Sequence, residues 1–450
     1  MTRLAPLRSV LSLTRFVLLV LLAGWSICGR TAETVLVASS FPKEVLSAYK
    51  KAFDEQSSDY RVEFVNFPAT NAVSYVRDRA PGARPDVFWG SSPDTFRALR
   101  RNDLLQPLDG VRNPAVPAVV GDLSIDDPAH FFLGQALAGY GIMWNTRYLE
   151  ARGIRPPAAW SDLAQPEYFG HIVMSSASRS STTHLILESI LQAEGWDKGW
   201  ALILQIAGNC ATISERAFDV PNNVTRGRFG LGPVVDFLAV SSRHAGFPVG
   251  FAYASPNIVT PAGIGLIKGA RNPDGGRAFI AFTLSDAGQR LLLQPEISRL
   301  PVLPSLYQSS ERPAELPDIL NALRSDSGVY TPDISASRYS IVNAVFDQSI
   351  TFRHRELIAV TQSIHELETR LQQRPDAEAS ALVARARDLV FRAPLPADDR
   401  LLTEPAPTVP QRVAALATRE GDWARQASRN LTTAAIWLTQ ARDRLKEQRP

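Results

Sequence analysis

The chain has 450 residues, with 48 Lys and Arg against 45 Asp and Glu and a formal net charge of +3. So balanced a charge gives no indication of a nucleic-acid partner or of binding to a polyanionic surface. The 2 cysteines and 6 histidines lack the spacing of a zinc site, so we expect no metal and no cofactor. A chain of this length can bury a large core without disulfides.

The N-terminal segment has the pattern of an export signal. Arg3, Arg8 and Arg15 precede the apolar run 16–25. Basic residues followed by roughly ten apolar residues are typical of a secretory signal, whereas a membrane-spanning helix needs about 20. We therefore expect residues 1–32 to be a signal peptide and the mature protein to be periplasmic, secreted across the inner membrane.

Cys28 lies near the end of this segment, where a lipidated cysteine would anchor the protein. The preceding residues 25–27, Trp-Ser-Ile, match poorly the small residues that a lipoprotein peptidase prefers. We expect cleavage between Cys28 and Glu33 without a lipid anchor. Cys210 would then be the one remaining cysteine, and no disulfide could form within the chain.

Strands and helices alternate after the signal. The predicted elements are a strand at 34–38, a helix at 43–56, a strand at 61–67, a helix at 70–79, a strand at 86–89 and a helix at 95–102. This alternation predicts a parallel sheet covered by helices, and ligands bind such sheets beyond the carboxyl ends of the strands. The candidate binding residues at two of these ends are Ser39, Ser40, Phe41, Trp89, Ser91 and Ser92.

The alternation of strands and helices is predicted again between residues 141 and 249. The predicted elements there and just after are a strand at 172–174, a helix at 196–207, strands at 212–213 and 249–253, an extended run at 260–267 and a helix at 275–284. Asp236 and Phe237 read as a turn that enters a helix. The chain is therefore predicted to be of the α/β class throughout this part.

A hydroxyl-rich loop around one arginine precedes an apolar-periodic helix. The loop residues of interest are Ser178, Arg179, Ser180, Ser181 and Thr182. Ser and Thr are preferred N-cap residues, and a helix N-terminus carries about half a positive charge. With a guanidinium and several hydroxyl donors added, the loop suits a small anion such as phosphate or carboxylate. An ordinary capped helix remains the alternative from this stretch alone.

Several segments together resemble a known family. In order they are residues 35–40 (Val-Leu-Val-Ala-Ser-Ser), 85–89 (Pro-Asp-Val-Phe-Trp), 139–145 (Gly-Tyr-Gly-Ile-Met-Trp-Asn), the loop 178–183, residues 258–272 and residues 285–293. Their order and spacing resemble an extracellular solute-binding protein of an ABC transporter, from the subgroup with ferric-ion, polyamine, thiamine, phosphonate and phosphoglycerate binders. The resemblance covers about residues 33–307.

This resemblance implies the two-lobe, type II periplasmic-binding-protein fold. Lobe 1 would comprise residues 33–135 and 263–335, and lobe 2 residues 136–262, with the chain crossing near 136–144 and 251–264. The ligand would lie in the cleft and draw the lobes together. Ser39, Ser40, Trp89, Ser91 and Ser92 would then face the loop 178–183 across it.

The candidate residues favour an anion as the ligand. Ferric binders of this subgroup use adjacent tyrosines, which this sequence lacks, and Asp236-Phe237 lies near their expected place. Polyamine sites need several carboxylates, whereas the walls here carry hydroxyls and an arginine. Asp236 would either accept a hydrogen bond from the ligand or act as a helix N-terminal acid. Trp89 would either line the cleft or pack in the core.

Residues 336–450 lie beyond the part of the chain that the resemblance covers. They are predicted to form an appended helical region. Helices are expected at 343–372, at 376–391 and around 423–445, with prolines between the second and third. In the simplest interpretation this region packs against the first lobe. The alternative is a docking surface for a membrane sensor or transporter.

The leading functional prediction is a non-catalytic periplasmic protein that delivers a small anion to an ABC permease in the inner membrane. The alternative is a ligand-sensing regulatory binding protein of the phosphoglycerate type, which signals to a membrane sensor kinase. An exported hydrolase is disfavoured, because the Gly-x-Ser-x-Gly motif is absent and His184 follows its serines on the same helix.

Overall fold

The computed structural model describes residues 32–120, 123–216, 218–308, 330–403 and 409–447. The strands are β1 (Glu33–Ser39), β2 (Tyr60–Asn66), β3 (Val87–Gly90), β4 (Leu105–Gln106), β5 (Val119–Val120), β6 (Leu123–Ser124), β7 (Leu133–Asn145), β8 (Ile172–Ser175), β9 (Cys210–Ser214), β10 (Leu231–Val235), β11 (Val249–Tyr253), β12 (Val259–Ile267) and β13 (Leu300–Pro301). The helices are α1 (Lys43–Gln56), α2 (Ala72–Arg77), α3 (Pro93–Arg101), α4 (Thr146–Arg152), α5 (Ser181–Glu194), α6 (Trp196–Asn209), α7 (Asp219–Thr225), α8 (Asp236–His244), α9 (Pro273–Leu284), α10 (Asp286–Leu291), α11 (Pro332–Ser349), α12 (His354–Gln373), α13 (Ala377–Val390), α14 (Arg400–Thr403) and α15 (Val409–Glu447).

One long strand, β7, joins the two halves of the sheet. The strand order is β2-β1-β3-β12-β7-β10-β8-β9, with β4 beside β12 and with β11 and β13 beside β7. Residues 133–139 of β7 pair with β12, and residues 140–145 pair with β10 and β11. The parallel pairs β1–β2 and β1–β3 lie in lobe 1, and the parallel pairs β8–β9 and β8–β10 lie in lobe 2. The predicted two-lobe α/β fold is confirmed, while its residue bounds stay predictions.

The close approach of a neighbouring strand to β7 explains why its sequence contains glycine. A Cβ atom added to Gly141 would lie 2.1 Å from the carbonyl oxygen of Ala252 on β11. β11 can therefore approach β7 this closely because residue 141 has no side chain. Nearly every residue of β7 is buried, as expected of a central strand with neighbours on both sides.

The helical extension, α11 to α15, shares its hydrophobic core with lobe 2. Trp200 and Leu204 of α6 belong to the same buried cluster as Phe346, Ile364 and Leu438 of the extension. Lobe 1 has a separate core, built around Val35, Tyr49, Trp89, Phe279 and Phe282. The expectation that the extension packs against the first lobe is therefore wrong for its apolar faces, which cover lobe 2.

The long helix predicted at 343–372 is interrupted. α11 begins earlier, at Pro332, and ends at Ser349, and α12 begins at His354 after a short 3-10 turn. Ile350 leaves helical geometry with φ of −118° and ψ of −67°. Ile350 and Thr351 are adjacent β-branched residues, and the Thr351 hydroxyl donates to Asp347 at 2.7 Å, which offers the backbone a local alternative to the helix.

Across the described residues, no helix combines the length and the apolar character needed to cross a bilayer. Residues 1–31 of the predicted signal peptide, including Cys28, lie outside the described part of the chain. Cys210 is buried and carries a free thiol.

Candidate functional site

A cavity of about 340 Å³ lies between the two lobes. Lobe 1 contributes the segments after β1 and β2 and the residue after β3, and lobe 2 contributes the start of α5, the chain after β9 and the start of α8. The lining residues are Ser40, Phe41, Pro42, Asn66, Phe67, Pro68, Ala69, Ser91, Arg179, Ser180, Ser181, Thr182, Arg216, Phe218, Val235, Phe237, Leu238 and Arg299. The cavity therefore occupies the place that the strand ends predicted.

Four helices begin at or beside this cavity. α1 follows Pro42, α3 begins two residues after Ser91, α5 starts with Ser181, and α8 follows Val235. Each helix presents backbone N–H groups and the positive end of its dipole at its N-terminus. The helix starts therefore make the cavity electrostatically favourable to an anion.

Ser180 is the N-cap of α5. Its Oγ accepts a hydrogen bond from the Thr183 backbone N–H at 3.1 Å and lies 3.0 Å from the Thr183 hydroxyl. The next residues, Ser181 and Thr182, line the cavity with Ser180. Capping and cavity lining thus occur together in this loop and are not alternatives.

Arg299 is the most unusual residue of the cavity. Its side chain is buried, with 1% of the residue exposed, and the guanidinium carbon lies 4.0 Å from the ring centre of Phe41 and 3.7 Å from that of Phe237. Its Nε and Nη1 have no hydrogen-bond partner among the described residues. Burial lowers the pKa of Arg299 to about 10, so the group stays charged at neutral pH. A buried cation with unfilled donors is costly and favours an anionic ligand.

The surroundings hold Arg299 in place. Trp89 and Phe41 pack edge to face with ring centres 4.7 Å apart, and Trp89 packs in the same way on Tyr49. Ser298, immediately before Arg299, has a left-handed backbone with φ of 50°. A non-glycine residue in this region carries strain that is common beside functional groups.

The charges that line the cavity are of one sign. Arg179, Arg216 and Arg299 contribute guanidinium groups, and no Asp or Glu is among the described lining residues. Arg179 is 64% exposed and lies 3.5 Å from Glu215, so its charge is solvated and partly offset. The buried Arg299 has no carboxylate at hydrogen-bond distance among the described residues, although the buried carboxylate of Asp236 attracts it electrostatically.

The structure brings seven predicted residues to the cavity: Ser40, Phe41, Ser91, Arg179, Ser180, Ser181 and Thr182. Their contact with a ligand stays a prediction. Five predicted residues do not line it, namely Ser39, Trp89, Ser92, Ser178 and Asp236, and the structure corrects their expected position.

Each correction has a physical reason. Trp89 is 0% exposed, lies beneath Phe41 and donates from Nε1 to Gln135 at 3.3 Å. Ser39 is buried and accepts from the Phe41 N–H at 3.1 Å. Ser92 is the buried residue before α3, and Ser178 faces Ser176, with the two hydroxyls 3.0 Å apart.

Asp236 is a structural acid at the crossing between the lobes. Its carboxylate accepts from the N–H of Gly139 at 2.7 Å, from the N–H of Phe237 at 2.7 Å and from the hydroxyl of Tyr253 at 3.1 Å. Burial raises the pKa of Asp236 to about 6, although these donors favour the charged form. Its acceptor sites are occupied by protein groups, which leaves little room for a ligand contact.

Sequence reasoning missed Arg299, Arg216 and Asn66. One signal for Arg299 was present, because it stands in an apolar stretch, between Ile297 and Leu300-Pro301-Val302. A charge in such a stretch indicates a buried group with a special role. Arg216 and Asn66 lie in loops, and no local pattern distinguishes them from other exposed polar residues.

A larger cavity, of about 580 Å³, lies where lobe 1 meets the extension. Two of its arginines already have carboxylate partners, since Arg97 lies 3.2 Å from Asp333 and Arg100 lies 2.5 Å from Asp127. It lacks the excess of positive charge that marks the interlobe cavity. Among the described residues, no cluster of three or more His, Cys, Asp or Glu could hold a metal ion.

Comparison with known proteins places this geometry in context. A family model described as "Bacterial extracellular solute-binding protein" matches residues 83–321. The phosphoglycerate transport regulatory protein PgtC of Salmonella typhimurium is 30% identical over 361 residues, which cover 79% of this chain and 86% of PgtC.

Solved structures show the same fold. The periplasmic binding protein AfuA of Actinobacillus pleuropneumoniae, solved with exogenous fructose-6-phosphate bound, aligns with a TM-score of 0.62 and 17% identity over 71% of this chain and 99% of AfuA. Iron-bound HitA of Pseudomonas aeruginosa aligns with a TM-score of 0.57 and 16% identity over 69% of this chain and 98% of HitA. Both neighbours are covered almost completely, so the remaining length of this chain has no counterpart in them.

Proposed function

Because this chain belongs to the family of bacterial extracellular solute-binding proteins, we propose that it clamps a small organic anion between its two lobes in the periplasm. The proposed ligand class is a phosphate ester that carries a second negatively charged group, as phosphoglycerate does. The observation that carries this proposal is Arg299, a buried guanidinium with unfilled donors at the cavity.

The charge of the cavity supports a ligand with more than one negative charge. Arg299 lies at the buried end, whereas Arg179 and Arg216 are exposed. The guanidinium groups therefore sit at different depths, and one can bind a phosphate while another binds a carboxylate. Phe67 and Phe218 also line the cavity and would flank the short carbon skeleton between the two ends.

Two relatives support the same class of ligand. PgtC, the relative with 30% identity, is by name a regulator of phosphoglycerate transport. AfuA, which has the same fold, was solved with a sugar phosphate bound. The iron bound by HitA is a weaker guide here, because no metal-binding cluster occurs among the described residues.

Delivery of the ligand to an ABC permease in the inner membrane is the proposed role, and no catalytic step is proposed. A regulatory role is the second candidate, and one observation favours it. The alignment with PgtC spans 79% of this chain, more than the 335 residues before the extension, so it includes part of the extension. The region in which this chain exceeds AfuA is thus partly shared with a protein named as a regulator.

A binding screen of the purified protein tests the ligand class. Isothermal titration with 3-phosphoglycerate, glycerol 3-phosphate and glycerate compares both anionic groups with each group alone. We expect 3-phosphoglycerate to bind at least tenfold more tightly than either single-group compound, since each lost charge-assisted contact costs about 1.5 to 3 kcal/mol. Binding of polyamines or ferric citrate in place of the anions would refute the proposal.

A further inference from the structure

The first helix of the extension, α11, contacts both lobes. On the lobe 2 side, the Arg338 guanidinium pairs with the buried Glu188 carboxylate of α5 at 2.8 Å. The Asp347 carboxylate accepts from the Ser176 hydroxyl at 2.9 Å. Together with the shared apolar core, these contacts make α11 part of the lobe 2 body.

The same helix meets lobe 1 through its first two turns. Asp333 lies 3.2 Å from Arg97 of α3, and the Ala336 carbonyl accepts from Arg101 at 3.3 Å. The Ser335 hydroxyl donates to the Asp94 carboxylate of α3 at 2.9 Å. These contacts to lobe 1 are polar, in contrast to the apolar packing of α11 on lobe 2.

A buried junction lies where the three parts meet. His184 of α5 has its Nε2 at 3.2 Å from the Ser335 hydroxyl and at 3.9 Å from the Asp94 carboxylate. Its Nδ1 lies 2.9 Å from the Asn343 side-chain oxygen of α11. Asp94, His184 and Ser335 are each no more than 4% exposed. We name this set the interlobe junction: Asp94 from lobe 1, His184 from lobe 2 and Ser335 from the extension.

The interlobe junction lies close behind both walls of the ligand cavity. Asp94 is in the first turn of α3, three residues after the cavity residue Ser91. His184 is in the first turn of α5, two residues after the cavity residue Thr182. A rotation that separates these two helix starts must also break the contacts of Ser335 with Asp94 or with His184.

We propose that the interlobe junction is a latch through which the helical extension sets the opening of the ligand cleft. Ser335, carried by the lobe 2 body, bonds Asp94 of lobe 1 and holds the lobes in the arrangement seen here. Opening the cleft would break this hydrogen bond together with the other polar contacts between α3 and α11, and each such contact contributes to holding the lobes together. The extension therefore biases the protein toward this arrangement of the lobes before any ligand arrives.

The latch is tested on the ligand-free protein, so the result does not depend on the identity of the ligand. Spin labels at Glu55→Cys in lobe 1 and Glu150→Cys in lobe 2 report the interlobe distance by double electron–electron resonance. Both positions are exposed, and Cys28→Ser leaves the buried Cys210 as the background thiol. The variants are Ser335→Ala and Asp94→Leu, and the matched control is Ser337→Ala, an exposed serine on the same helix.

We expect both junction variants to shift the mean distance by several ångströms and to broaden its distribution, while the control matches the parent protein. Coincident distributions in all four proteins would overturn the latch. Asp94→Leu removes the acceptor and keeps a side chain of similar size, so it tests the latch independently if Ser335→Ala proves unstable. The double variant should show no larger shift than either single variant, because both break the same contact.

Discussion

The charged guanidinium of Arg299 is surrounded by aromatic rings and has few hydrogen-bond acceptors nearby. Phe41 belongs to lobe 1 and Phe237 to lobe 2, so the guanidinium lies between rings of both lobes. Cation–π contacts offset part of the cost of burial but leave the N–H donors unfilled. The residue is thus poised for an anion and unsuited to a neutral ligand.

Replacing Arg299 by Met separates binding from stability. We expect the affinity for 3-phosphoglycerate to fall about 100-fold, because the loss of a buried charged partner costs about 3 kcal/mol. The ligand-free protein should keep most of its thermal stability, because the substitution removes the desolvation cost of the guanidinium along with its attraction to the buried Asp236. Calorimetric titration and thermal melts measure both effects. Arg290→Met, on an exposed arginine paired with Asp286, is the control.

Arg179→Ala should weaken binding less than the loss of a buried arginine would. Removal of a charged hydrogen-bond donor from a buried site costs about 2 kcal/mol. The side chain is 64% exposed and faces Glu215, so we expect a loss of about 1 kcal/mol or less. Titrations at low and high salt check this, since an exposed contact weakens with ionic strength. A loss as large as that of Arg299→Met would contradict this ranking of the arginines.

Asp236 should make stability depend on pH. Burial raises its pKa from 3.8 to about 6, so the folded protein holds this proton more tightly than the unfolded chain does. Its contribution to stability therefore falls as the pH rises from about 4 to about 6. The difference in unfolding free energy between the parent and Asp236→Asn should grow by on the order of 3 kcal/mol as the pH falls across this range. Urea melts at several pH values measure it, and a constant difference would rule it out.

At the scale of elements, periodicity located most helices and strands but not the residues that face the ligand. The helix at 43–56 and the strand at 249–253 have the predicted bounds. Trp89 was ambiguous because a central strand of a covered sheet is buried on both faces, so its sequence does not distinguish a core residue from a cleft residue. Arg299 reaches the cavity through contacts with segments distant in sequence, which no local pattern encodes.

Two adjacent serines at the start of α5 allow the contribution of helix capping to stability to be measured separately from the contribution of the loop to ligand binding. Ser180→Ala should lower the unfolding free energy by about 1 kcal/mol, because the Thr183 N–H loses its acceptor. Ser181→Ala, one residue later, should leave stability unchanged and weaken 3-phosphoglycerate binding severalfold, since this residue lines the cavity and is not the N-cap. Chemical denaturation and titration of both variants check the division. Equal effects of the two substitutions on stability would argue against it.

At the scale of the whole molecule, the extension and lobe 2 should unfold together. Phe346 of α11 is fully buried in the core that both share. Phe346→Ala should lower the unfolding free energy by about 3 to 5 kcal/mol and shift the transition of lobe 2 with it. Phe352→Ala is the matched control, because that ring is 59% exposed. Scanning calorimetry would contradict shared unfolding if the extension melted in a separate step that left lobe 2 unchanged.

The continuous sheet limits how the two lobes can move. β12 and β7 remain paired on both sides of the register shift between Ala262 and Gly263, and β7 continues into lobe 2 without a break. A bulge bends a strand and increases its local twist while the neighbouring ladder stays intact. Capture of a ligand would thus twist one continuous sheet about this point, and the lobes would not rotate as two bodies joined by a flexible linker.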